Sequence, residues 1–74
     1  MQVLMKKDLE DFKLWLEEQG IAYRLGKGQW QVLQVDSGDF GFQVLFCSKH
    51  TEWKHFTSND KLCPTIERFY ESRA

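Results

Sequence analysis

The strict alternation of residues 40–47 constrains this chain most. Phe40, Phe42, Val44 and Phe46 share one phase of a two-residue period, and Gly41, Gln43, Leu45 and Cys47 share the other. A helix would scatter either set around its circumference, whereas a pleated strand gathers each on one face. The segment reads as the central strand of a sheet, with the face carrying Phe42, Val44 and Phe46 turned to the core. Upstream, residues 29–35 are rich in β-formers, with Trp30 and Val32 on one side and Leu33 and Val35 on the other. Ile21, Tyr23 and Leu25 alternate with Ala22 and Arg24. Gly26, Lys27 and Gly28 make one turn, and residues 36–39 make a hairpin connection. Downstream, residues 51–57 form a weaker strand in which Trp53 and His55 oppose Glu52, Lys54 and Phe56. Every connection is too short for a crossover helix, so the strands form an antiparallel meander of three to four.

The period changes to helical at both ends. Leu9, Phe12, Trp15 and Leu16 fall within an arc of about 120°. Asp8 is an N-cap residue, Glu10 and Asp11 suit the positive end of the helix dipole, and Gly20 supplies the left-handed position after the last turn. Leu14 points away from this stripe. Near the other end, Pro64 fits a first helical turn, and Ile66, Phe69 and Tyr70 make an apolar stripe on a helix of about two turns. The order predicts an α+β domain spanning residues 1–74, in which both helices cover one face of the sheet.

At 74 residues, the chain hides only about 60% of the surface its unfolded form exposes, so its eleven aromatic side chains must supply core volume. Ten basic against eleven acidic residues exclude a strongly basic nucleic-acid module and an acidic tail. The longest uncharged run, residues 40–48, falls far short of the roughly 20 residues that cross a bilayer. A cytoplasmic, soluble protein without membrane attachment is expected.

Cys47 and Cys63 have no further cysteines with which to build a disulfide framework, so both are expected as thiols: Cys47 as core filler, Cys63 flanking a helix. Cys47, His50, His55 and Cys63 match zinc-ligand spacing poorly, and neither a metal nor another cofactor is expected. Histidine titrates near neutrality, so His50 or His55 has the chemistry of a general base. There is no nucleophile elbow, paired-carboxylate signature or glycine-rich phosphate loop beside them, and a non-enzymatic protein is expected.

Aromatic side chains without catalytic motifs direct attention to surfaces. Leu14 and Trp15 at one edge, or Trp30 and Leu45 on the uncovered sheet face, are the candidate contacts for a protein partner or a second copy. The alternative is a weak nucleic-acid site built from Lys49, Lys54, His55 and Lys61 with a stacking aromatic.

The α-β-β-β-α order, with the helix-ending run from Leu16 through Gly20 to Ile21, resembles the double-stranded-RNA-binding fold and the HicA-type mRNA interferases. Those toxins carry a Gly-Ser-His motif at the first hairpin. Here Gly26, Lys27, Gly28, Gln29 and Trp30 stand at that hairpin, so their catalytic histidine has no counterpart and the resemblance implies no ribonuclease activity. The segments Gly20 to Tyr23 and Gly28 to Leu33 look like those of small bacteriophage and prophage proteins over about half of the chain. That likeness implies a bacterial setting and a binding or regulatory role.

Overall fold

A computed structural model of the chain describes residues 3–28, 30–47 and 54–73. The elements run β1 (Leu4–Met5), a 3₁₀ turn (Lys6–Asp8), α1 (Leu9–Glu18), β2 (Tyr23–Leu25), β3 (Gln31–Asp36), a second 3₁₀ turn (Gly38–Phe40), β4 (Phe42–Cys47), β5 (His55–Thr57) and α2 (Cys63–Ser72). The strands form one antiparallel sheet in the order β1-β5-β4-β3-β2. An α+β domain with helices over one face is therefore present, with more strands than the periodicity indicates. The added strand, β1, is two residues long and shows no periodicity, and it pairs with β5 through Leu4 opposite Phe56. Of the segment 51–57, residues 51–53 lie outside the described residues.

Gly20 ends α1 as its sequence predicts. At φ +71° it lets Ile21 N–H reach Leu16 C=O at 2.9 Å while its own N–H reaches Glu17 C=O at 3.1 Å. This Schellman pair satisfies two carbonyls of the last turn and turns the chain toward β2.

One core joins Leu4, Phe12, Leu16, Leu33, Val35, Leu45, Phe56, Leu62, Ile66 and Phe69. The helices supply most of its rings, with Phe56 of β5 the exception: Phe12 meets Phe69 edge-on at 5.1 Å, and Trp15 meets Phe69 at 5.7 Å. The sheet answers mainly with aliphatic side chains, and this corrects the sequence reading of β4. The alternation is present from Phe42 to Cys47, but its faces are reversed: Leu45 is fully buried, whereas Phe42 and Phe46 are 39% and 41% exposed. Register is the cause. The hairpin pairs Asp36 with Phe42, Val35 with Gln43 and Leu33 with Leu45, so the inward pair Leu33 and Val35 carries Leu45 inward and turns the phenyl rings out. Phe40 leaves the alternation altogether, because Gly41 at φ +71° separates its 3₁₀ turn from β4.

Asp8 takes the N-cap position before α1, as its sequence predicts, but its side chain makes no capping hydrogen bond to the helix. It is 7% exposed, accepts the Tyr70 O–H at Oδ2 (2.8 Å), and meets Arg73 Nη1 at Oδ1 (3.2 Å). Tyr70 Oη in turn accepts the Met5 N–H at 2.9 Å. The last turn of α2 is thereby tied to β1 and to the start of α1.

Candidate functional site

The helices cover one face of the sheet, and among the described residues no element lies over the other, the bare face. Cross-strand partners share a face, so the register places Arg24, Gln34 and Val44 in one row there, and Phe46 beside Thr57 in another. Met5 and His55 complete the far edge. Two phenyl rings of β4, four residues apart, stand about 13 Å from one another along the strand. Arg24 spans from β2 to this row: its guanidinium carbon lies 4.1 Å from the Phe42 ring centroid, and Nε donates to Gln34 Oε1 at 2.7 Å. The guanidinium is thus held over the ring by a cation–π contact and a hydrogen bond. Asp36, paired with Phe42, is the one carboxylate among these positions, and its Oδ1 already accepts the Gly38 N–H at 2.9 Å.

The helical layer differs in charge. On α1 and α2, Glu10, Asp11, Glu17, Glu18, Glu67 and Glu71 stand against Lys13 and Arg68, a surplus of four negative charges that the flanking Lys6, Lys7, Asp8 and Arg73 reduce to two. Lys13 pairs with Glu10 at 3.1 Å, and Arg73 with Asp8 and Asp11 at 3.2 and 3.4 Å.

The predicted contact residues do not form one site. Leu14 and Trp15 lie on α1, Leu14 59% exposed and Trp15 half-buried, in a groove of about 310 Å³ toward α2. Trp30, 40% exposed, precedes β3, and its carbonyl accepts the Cys47 N–H at 2.9 Å. Leu45 is no contact residue: with Leu33 opposite it at the centre of the core, no surface of it is offered to a partner. The bare-face residues missed from sequence are Phe42, Phe46 and Arg24. Counting the hairpin back from Leu33 and Val35 was the available signal for the two rings.

Lys54 and Lys61 lie beyond opposite ends of β5, with Lys61 Nζ 5.5 Å from the Phe40 ring centroid, and Lys49 and His50 lie outside the described residues. His55 pairs with Met5 on the bare face, whereas Cys47 packs against the core and Cys63 is buried beside the Asn59 carbonyl, 3.4 Å from Sγ. Both cysteines are free thiols, and among the described residues no group of three or more His, Cys, Asp or Glu side chains converges for a metal ion.

Burial raises the Tyr70 hydroxyl above the ordinary tyrosine pKa of 10.0. Its hydrogen bond to Asp8 and the charge of that carboxylate push the same way, against the Met5 N–H and Arg73. No described helix is long and apolar enough to cross a membrane. No family model matches the chain, and neither the curated proteins nor the solved structures contain a significant match.

Proposed function

We propose that the protein is a small non-enzymatic binding module whose contact surface is the bare face of the sheet, and that its partner is another protein or a second copy of itself. One observation carries this reading. Among the described residues, the face around Phe42, Val44 and Phe46 combines exposed aromatic rings, Met5 and a ring-stacked Arg24 with a single carboxylate and no lysine. That is the composition of an interface core, in which aromatic side chains, Met and Arg are enriched while Lys, Asp and Glu are depleted. The phage-like segments suggest a bacterial host protein as the partner.

The test is a photo-crosslinking amino acid substituted for Phe46 in the full chain, with the same group at Glu67 on the helical layer as control. The expected result is one discrete adduct from position 46, with the chain itself in pure solution or with one host protein in extract. Phe42→Ser should remove it, and the Glu67 control should not give it. Diffuse or absent labelling from position 46 rejects the face. The stacked Arg24 also favours a second reading, a platform for single-stranded nucleic acid, where each stacked base contributes about 1–3 kcal/mol. That alternative requires oligonucleotide retention at low salt that collapses as salt rises and is lost in Arg24→Ala.

A further inference from the structure

The groove on the opposite layer has a different character. Leu14, Trp15 and Phe69 are its apolar lining, beside Asp11, Glu18, Ser72 and Arg73. Leu14 leaves 59% of its surface in water on the helix flank that borders this depression, whereas Phe69 is fully buried. Arg73 is the one basic group in this lining, and it is already engaged: both guanidinium nitrogens reach carboxylates, and its carbon stands 5.1 Å from the Phe69 ring centroid. One guanidinium charge against two carboxylates leaves a net negative charge, so Asp11 and Glu18, with the surplus of carboxylates on the two helices, set the field over the groove.

We infer that this groove docks a cationic amphipathic helix of a partner protein. Asp11 and Glu18 are seven residues apart on α1, hence about 10.5 Å along its axis, with Leu14 between them. A helix laid alongside offers the complement: two Lys or Arg residues two turns apart, separated by a Leu or Ile that seats against Leu14 and Trp15. The acidic layer draws such a segment in and repels an acidic one. The inference concerns the layer opposite the bare sheet and does not depend on what that sheet binds.

A fluorescein-labelled amphipathic helix built only of leucine and lysine is the probe, with a leucine–glutamate peptide as its counterpart, titrated against the full chain by fluorescence anisotropy. The leucine–lysine peptide should bind at low salt and weaken as salt rises. Leu14→Ser and Glu18→Lys should each weaken it about tenfold. Both positions are exposed, so these variants retain the core, and Phe46→Ser on the far face should bind as the parent does. Equal affinity in Leu14→Ser and Glu18→Lys, equal binding of the leucine–glutamate peptide, or no binding at low salt overturns the inference. So does self-association abolished by Leu14→Ser, which would assign the groove to a second copy.

Discussion

Leu45→Ala and Phe46→Ala, neighbours on β4, separate the two faces of the sheet energetically. Leu45 is fully buried against Leu33 in the middle of the core. Truncating such a leucine removes its transfer free energy and leaves a cavity, a cost of about 2–5 kcal/mol. A domain of this length has a total stability of about 4–11 kcal/mol, so the loss is a large part of the whole. Phe46 is the larger side chain, but 41% of it is in water and, among the described residues, nothing closes over it. Its truncation forfeits only part of a ring's transfer free energy and opens no cavity, costing about 1 kcal/mol. Thermal unfolding followed by circular dichroism should show the midpoint lowered by about 8–40 °C for Leu45→Ala and by about 4–8 °C for Phe46→Ala, with urea unfolding giving the same ranking. If Phe46→Ala proves as damaging as Leu45→Ala, the rings point inward, and the bare face and everything assigned to it are refuted.

Tyr70→Phe should cost about 1–2 kcal/mol by urea titration, because Asp8 and the Met5 N–H both lose the hydroxyl. Since the folded-state pKa of Tyr70 lies above its unfolded value, the associated stability is present below pH 10 and is lost as pH rises through the raised value. The alkaline fall in stability should therefore be shallower in Tyr70→Phe, and equal profiles would exclude the link. Native-state thiol titration should modify half-buried Cys47 ahead of buried Cys63, with Cys47→Ser removing the faster phase. Gly20→Ala forces a side chain to φ +71° and should destabilise by about 1 kcal/mol, although its Cβ would meet nothing within 4 Å. A neutral effect there would show that the turn relaxes.

The helices were legible because their signals are local: the stripe Leu9, Phe12 and Leu16 and the stop at Gly20 need only nearby residues. Strand β4 was legible as a strand and illegible in orientation, since a period of two defines two faces without saying which the helices cover. Side-chain hydrophobicity favours the phenylalanine face, and the pairing with Leu33 and Val35 overrides it. Leu14 stood out as a residue off its stripe, and the groove explains its surroundings without any pattern having foretold Phe69 or Arg73 as neighbours. Asp8 reads as a cap in its own segment, while Tyr70 and Arg73 lie 62 and 65 positions away. No local window contains such a contact, and the same holds for Arg24 over Phe42.

The tie among Met5, Asp8, Tyr70 and Arg73 orders events during synthesis. Leu4 and Met5 leave the ribosome early but find their strand neighbour only when residues 55–57 appear, and their hydroxyl anchor only when Tyr70 does. Completion of this edge therefore waits for the C-terminal helix to emerge. A nascent chain arrested before Cys63 lacks Ile66 and Phe69 from its interior and should remain protease-sensitive throughout, whereas one from which residues 63–73 have emerged should be protected.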